Sequence, residues 1–342
     1  MNSTIEAIKR VVADTDGLLL SDLAIETVAA DASQRKFYRL SLPDGNTRIA
    51  MELEGPHPPP EDPDQVPYIN ILNHLRICKA AVPRLLAYDP ATAIVILEDL
   101  GRVTLEAYVK EKGMAAALPV YRKAIDELLT LQIVGTRNRC EHCIAFNHAF
   151  DEEKLMWELN FFLTHTVEGQ LKRTVSQSDL TPLRNEFYAL SSLIAAEPRF
   201  FTHRDYHSRN LLVKAGKIGI VDFQDARLGP LQYDLCSLLR DSYVVLPEKT
   251  VDGLIDYYLD GLDRMESTAH NRETFRKVFD MVSIQRNLKA AGTFGYMATV
   301  KSRLDYLDYL PDTFTYVRQN LARYPELQRL RDLLGRYLPE IL

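Results

Sequence analysis

Apolar residues follow two different rhythms along this chain. Up to about residue 99 they come in short runs of alternating character, the signature of half-buried strands. Beyond about residue 104 they recur at spacings of three and four, as on one face of a helix. The first part predicts a short helix over residues 3–12, with Ser3 as cap and Glu6 three residues on. Strands follow at 23–29, 35–42 and 48–53, the last two joined by the turn Pro43-Asp44-Gly45-Asn46. Residues 54–67 read EGPHPPPEDPDQVP, too rich in proline for regular structure. A helix over 66–79 and strands at 84–89 and 93–97 complete this part. Later helices are expected at 121–132, 152–171, 233–241, 251–264, 272–289, 307–323 and 327–337. Strands first and helices after give an α+β chain, divided as 1–99 and 100–342. No internal repeat is visible.

One stretch inside the helical part breaks the rhythm. Residues 203–225 read HRDYHSRNLLVKAGKIGIVDFQD. The apolar run 211–213, the turn 215–217 and the returning run 218–221 predict a hairpin. It would bring Asp205, Asn210 and Asp222 to one edge of a small sheet. Phosphoryl transfer from a nucleotide needs such a set: a group to orient the attacking hydroxyl, and hard oxygen ligands for magnesium. Asp205 suits the first task, and Asn210 with Asp222 the second. Arg204 and Arg209 are nearby cations for phosphate or for a carboxylate. The spacing H-R-D-x-x-x-x-N followed by D-F is that of protein kinases, with glutamine where they have the glycine of D-F-G. A hydrogen-bonded turn in an ordinary domain is the plain alternative, but two ordered motifs joined by a hairpin argue against it.

The stretch resembles the aminoglycoside phosphotransferase and choline kinase family, small-molecule kinases of protein-kinase-like fold. More narrowly, the chain resembles the bacterial anomeric kinases of N-acetylmuramate and N-acetylglucosamine. The segments that carry this narrower likeness are DASQRKFYR at 31–39, LEDLG at 97–101, 203–210, 222–229, LKAAGTF at 288–294 and Tyr309-Leu310-Pro311. The resemblance implies a two-lobed fold with ATP and Mg2+ between the lobes. It implies adenine contacts at the carbonyl of Glu98 and the amide of Leu100, and a nucleotide-covering loop at 30–34. That loop has no glycine, so Ser33 and neighbouring cations would serve in its place. It further implies an acceptor site bordered by the helix carrying Trp157 and Glu158.

The sharpest departure from protein kinases is on the third strand. A lysine that contacts the α- and β-phosphates belongs there, yet residues 49–52 read IAME. The sugar-kinase branch resembles this sequence in lacking it. The following helix has no glutamate to pair with such a lysine. Arg35, Lys36 and Arg39 are the nearest substitutes, and Arg35 follows the covering loop directly. Alternation puts Arg35, Phe37 and Arg39 on one face of the strand. Gln224, Asp225 and Asp241 are further acceptor candidates, with Asp225 alternatively a second metal ligand. Asp234 reads as a buttress of the catalytic loop. Trp157 and Glu158 are either a stacking ring and a hydroxyl partner, or a core aromatic and a solvated charge.

Composition adds bounds. At 342 residues, 46% hydrophobic and 26% charged, the chain is an ordinary globular protein. A net charge of −6 speaks against nucleic-acid binding. Residues 1–10 lack a signal-peptide core and no apolar run approaches a membrane span, so the cytoplasm is expected. Cys140 and Cys143 form C-x-x-C without a matching second pair, and read as free thiols. The acceptor is expected to be an amino sugar, recycled from the cell wall. Rivals are an aminoglycoside, choline or homoserine kinase, or a nucleotide-binding scaffold. A cationic acceptor would call for an acidic cleft.

Overall fold

The computed structural model describes residues 2–28, 35–54 and 59–342. It has the two-lobed α+β architecture expected. The small lobe opens with α1 (Asn2–Asp16), followed by β1 (Ala24–Val28), β2 (Lys36–Ser41), β3 (Thr47–Glu52), α2 (Pro67–Ile77), β4 (Leu85–Asp89) and β5 (Ile94–Glu98). The strands form one antiparallel sheet in the order β1-β2-β3-β5-β4. Period-two alternation sorts its side chains between two cores. Ile94 and Ile96 of β5, Ala50 of β3 and Leu40 of β2 turn to α1, against Ile8 and Val12. Val95, Leu97 and Met51 turn the other way, to Ile69, Leu72 and Leu75 of α2. The proline segment is tied back to this lobe from residue 60 onward. Tyr88 donates to the Pro60 carbonyl and Asn70 to the Asp64 carbonyl at 2.9 Å.

The large lobe begins after residues 99–104. It contains α3 (Leu105–Lys112), α4 (Met114–Leu129), α5 (Gly135–Arg137), α6 (Glu152–Phe162) and α7 (Gln177–Ala195). Thr104 caps α3 by accepting from the Ala107 amide, and Gly113 ends it at φ 78°. Next come β6 (Phe200–Thr202), β7 (Leu211–Lys214), β8 (Lys217–Ile220), β9 (Arg227–Gly229) and α8 (Leu231–Leu239). The chain ends with α9 (Glu248–Glu266), α10 (Arg272–Thr299), α11 (Leu310–Arg323) and α12 (Gln328–Gly335). The single helix expected over 152–171 is α6 followed by a wider π turn, Leu163–Gln170. The short strands β6 and β9 and the helix α7 have no counterpart in the pattern reading.

The 28-residue α10 is the axis of this lobe. Every residue from 281 to 288 is buried, so the helix lacks the amphipathic stripe of a surface helix. Its crossing with the end of α6 and the π turn is close. A Cβ on Gly295 would stand 2.5 Å from the His165 carbonyl oxygen, and one on Gly292 2.8 Å from Phe162 Cα. Only glycine permits that approach. Thr166 Oγ1 then donates to the Ala291 carbonyl at 2.6 Å, which locks the crossing.

Candidate active site

The motif stretch is framed by two strand pairs. β6 pairs with β9 and β7 with β8, both antiparallel. The chain therefore leaves β6 into residues 203–210, makes the β7–β8 hairpin, and returns through 221–226 to β9. The hairpin turn has positive φ at both Ala215 and Gly216, 49° and 70°, as a tight two-residue turn requires. Both loops thus open on the same side. Val221 N donates to the Asn210 carbonyl at 3.1 Å and joins them directly.

Buried polar groups hold the first loop. Asp234 accepts from the amides of His203 (2.6 Å) and Arg204 (2.9 Å), the buttress expected of it. Burial raises its carboxyl to about 7, against the pull of those two donors. Burial also depresses the His203 imidazole, which stays neutral. Its Nε2 lies 3.0 Å from the Val221 carbonyl and its Nδ1 3.3 Å from the Asp205 amide. Nε2 is therefore the protonated nitrogen and Nδ1 the acceptor. Asp241 accepts from the amides of Ser208 and Tyr243, each at 2.9 Å. It lines the cavity, but its carboxylate is turned to backbone and steadies the loop, which differs from the acceptor contact expected.

The three residues singled out by spacing converge. Asn210 Nδ2 donates to the Asp205 carbonyl at 2.9 Å and lies 3.4 Å from Asp222 Oδ2. Asp222 has φ 65°, a costly conformation for a residue with a side chain, and one that its surroundings must enforce. Gln224 Nε2 donates to Asp222 Oδ1 at 2.9 Å. Asp205 Oδ1 accepts from Lys289 Nζ of α10 at 2.7 Å, a partner the motif gave no hint of. Burial acts to raise the Asp205 carboxyl, but Lys289, Arg204 and His207 outweigh it and hold the group well below the ordinary range.

These groups sit on the wall of a cavity of about 930 Å3 between the lobes. Glu98, Leu100 and Arg35 line it, as do Phe37, Ile49 and Leu97. The three candidate cations part ways. Arg35 NH1 stands 3.9 Å from Asp222 Oδ1, next to the motif. Arg39 is clamped to Asp99 at 2.5 and 3.1 Å and to the Gly101 carbonyl at 2.8 Å. Lys36 is on the outer face, paired with Glu52. Ser33 and the covering loop lie outside the described residues. None of residues 59–66 lines the cavity, so that described half of the proline segment does not reach the cleft.

Two acceptor candidates are elsewhere. Asp225 is exposed and pairs with Arg204 NH1 at 3.3 Å, off the cavity wall. Glu158 is buried and also off the cavity wall, with Gln285 Nε2 at 3.0 Å and Lys154 Nζ at 3.5 Å. Its neighbour Trp157 is 54% exposed, under the Lys154 ammonium. The pair matches neither expectation: the charge is inside and the ring outside, and neither lines the cavity. Leu155, Leu159 and Phe162 set the inward face of α6, and Glu158 lies on it.

The rest of the cavity wall is not acidic. Eight arginines and lysines line it against seven carboxylates, and those carboxylates are engaged. Asp99 holds Arg39, Glu98 holds Arg84, Glu106 holds Arg209 and Asp305 holds Arg303. The Arg209 guanidinium stacks 3.7 Å from the Tyr243 ring centroid and 4.9 Å from that of Tyr309, with Phe294 edging both rings. An aromatic box of this kind, which could receive a cation, already contains one. The four cysteines are free thiols, Cys140 exposed and Cys143 buried. Among the described residues no helix is long and apolar enough to cross a membrane.

Comparison with known proteins gives consistent matches. The model of the phosphotransferase enzyme family matches residues 24–267. N-acetylmuramate/N-acetylglucosamine kinase of Neisseria meningitidis is 30% identical over 319 residues, 92% of this chain and 90% of that protein. The protein of the same name from Pseudomonas aeruginosa is 30% identical over 312 residues, 90% of this chain and 86% of that one. Among solved structures, choline kinase from Cryptosporidium parvum superposes with a TM-score of 0.64 at 12% identity, over 98% of this chain and 99% of that one. At that identity the likeness is one of fold.

Proposed function

The chain belongs to the phosphotransferase enzyme family, and we propose that it is an ATP-dependent kinase for the anomeric hydroxyl of N-acetylmuramate or N-acetylglucosamine. Its family makes it a phosphotransferase with an alcohol as acceptor. The single observation behind the transfer reading is the convergence of Asp205, Asn210 and Asp222 on a cavity that Glu98 and Leu100 also line. The amino-sugar reading rests on the relatives' names and on the charge of the wall. Choline and aminoglycosides are cations, and here the box of Tyr243, Tyr309 and Phe294 is filled by Arg209. A neutral or anionic polyol meets no such conflict.

Each residue then has a stated task. Asp205, held ionised, orients the acceptor hydroxyl and takes its proton as the oxygen attacks the terminal phosphorus. Glu98 and Leu100 present backbone groups to adenine, with Phe37, Ile49 and Leu97 as apolar wall. Arg35 offsets phosphate charge from the small lobe. Gln224 steadies Asp222, and Arg204 is tied to Asp225 behind the loop. Asn210 and Asp222 are 12 residues apart on one hairpin. Asn210 Nδ2 donates to the Asp205 carbonyl, which leaves its Oδ1 and the Asp222 carboxylate as oxygen donors for magnesium, which takes few carboxylates and completes its shell with phosphate and water. Asn210 and Asp222 would hold the ion, whose chemistry is to neutralise charge on the phosphate oxygens. Most of the rate comes from positioning and electrostatics. We place the lobe division at 99/100 and the reaction in the cytoplasm, as a step of cell-wall sugar recycling.

The test is a panel of N-acetylmuramate, N-acetylglucosamine, choline, homoserine and an aminoglycoside with labelled ATP and magnesium. The expected result is transfer to the two amino sugars, with a product labile to mild acid as a sugar 1-phosphate is. Asp205→Ala should lower it by about 10²- to 10⁴-fold. Transfer to a cationic acceptor alone, or nucleotide binding with transfer to none, would refute the reading.

A further inference from the structure

We propose that Lys289 is a catalytic residue, a large-lobe cation that receives the oxygens of the phosphoryl group in transit; this rests on the kinase reading above. The position is unusual for a lysine. It lies on α10, directly after eleven consecutive buried residues, 278–288, and lines the cavity. Its ammonium is 2.7 Å from the carboxylate oxygen of Asp205. A structural ion pair would explain that contact alone. Three further observations favour a part in the reaction.

The first is hydrogen-bond arithmetic. An ammonium has three donors, and Asp205 takes one. Neighbouring arginines on the cavity wall are tied to protein partners. Arg39 makes three bonds to Asp99 and Gly101. Arg209 is held by Glu106 and Tyr309, and Arg286 donates to Ser237 Oγ. The second is rigidity. The glycine-dependent crossing at Gly292 and Gly295 fixes α10 one turn beyond Lys289. A preorganised cation costs little reorganisation when charge moves, which is when such groups accelerate transfer.

The third is position relative to the step. The acceptor oxygen forms its bond to the terminal phosphorus, and the bond from that phosphorus to the bridging oxygen breaks. ADP leaves with the electron pair, and the acceptor's proton passes to Asp205. Lys289 keeps its own protons throughout. Beside the carboxylate that receives the proton, it stands on the acceptor side of the phosphoryl group. Arg35, from the small lobe, stands beside Asp222 at the other end of the motif. The two cations together stand in for the charge that β3 does not supply.

Binding of a transition-state mimic tests this without any sugar. Calorimetry on the full chain compares MgADP with MgADP plus aluminium fluoride, in wild type, Lys289→Met and Lys289→Arg. MgADP affinity in Lys289→Met should stay within about threefold, as for a group that acts only on the transition state. The added affinity from aluminium fluoride should fall by about 10²-fold, the size of one lost oxyanion donor, and Lys289→Arg should recover at least about a tenth of it. Equal losses for both ligands, or no loss for either, would overturn the proposal. So would a deficit in Lys289→Arg as deep as in Lys289→Met at unchanged melting temperature. Because the mimic needs no acceptor, this outcome is independent of whether wild type phosphorylates an amino sugar.

Discussion

The clamp between β2 and the inter-lobe segment gives the firmest quantitative prediction. Arg39 and Asp99 are 60 residues apart, with side chains 7% and 5% exposed. Removing one partner of a buried pair costs about 3–5 kcal/mol, because the other is left charged and dry. Here the figure is reduced, since the Gly101 carbonyl at 2.8 Å and Glu26 at 3.7 Å still face the guanidinium. Asp99→Ala also leaves the Gly101 amide without its 2.9 Å acceptor. We expect a loss of about 3 kcal/mol. At about 2.1 cal/mol/K per residue, 342 residues give an unfolding entropy near 0.7 kcal/mol/K, so the melting temperature should fall by about 4 °C. ADP affinity should fall with it, because Leu100 and Glu98 flank the altered residue. The control is Arg39→Met with Asp99→Leu, which removes both charges and should regain at least half of the loss. A shift below about 1 °C for Asp99→Ala, or a double variant as unstable as the sum of the singles, would refute the clamp.

Three more outcomes follow from the same geometry. Asp222→Asn should weaken MgADP by at least about tenfold while leaving metal-free ADP within about twofold, read by calorimetry with and without EDTA. Burial acts to raise the Glu248 carboxyl, but Arg240 and Arg276 outweigh it and bring it down to about 2. The native state therefore binds fewer protons than the unfolded chain between that value and about 4.5, and stability is lost as pH falls through the window; Glu248→Gln should flatten urea midpoints there, and equal slopes in both proteins would contradict it. Gly295→Val places a side chain against the His165 carbonyl and Thr166 Oγ1, and should cost about 1–3 kcal/mol by overpacking, seen as a lower melting temperature with slower transfer because Lys289 moves too.

The sequence was most informative where chemistry and local geometry coincide. Asp205, Asn210 and Asp222 are set by spacing within one hairpin, so their convergence needs no distant contact. Alternation likewise put Arg35, Phe37 and Arg39 on one face, and all three line the cavity. It could not separate Arg35 from Arg39, because the partner that commits Arg39 is Asp99, on the far side of three intervening strands in the chain. Lys289 was invisible for the same reason: its meaning lies in Asp205, 84 residues away. Trp157 and Glu158 show a different failure. Expectation by residue type placed the ring inside, yet Leu155, Leu159 and Phe162 define an inward stripe that excludes Trp157. There the helical phase was in the sequence and outranks the average behaviour of aromatics.

The missing lysine of β3 has a structural counterpart that explains why it is not simply a lost function. The cavity-facing position of that strand is Ile49; Ala50 faces α1, and Arg48 is paired outward with Asp16. Across from it, where a helix carboxylate would have to stand, α2 presents Tyr68, whose ring lies 4.9 Å from that of Phe223. A lysine placed here would lack the helix carboxylate that pairs with it in protein kinases. With Ile49 and Tyr68 in place of the ion pair, both charges are absent together and this stretch of the cavity wall is apolar. The phosphate charge must then be met from elsewhere. Among the described residues, Arg35 beside Asp222 and Lys289 beside Asp205 are placed to meet it at the two ends of the motif hairpin. One of those cations belongs to the small lobe and the other to α10 in the large lobe, so each lobe would supply one charge to the phosphoryl group.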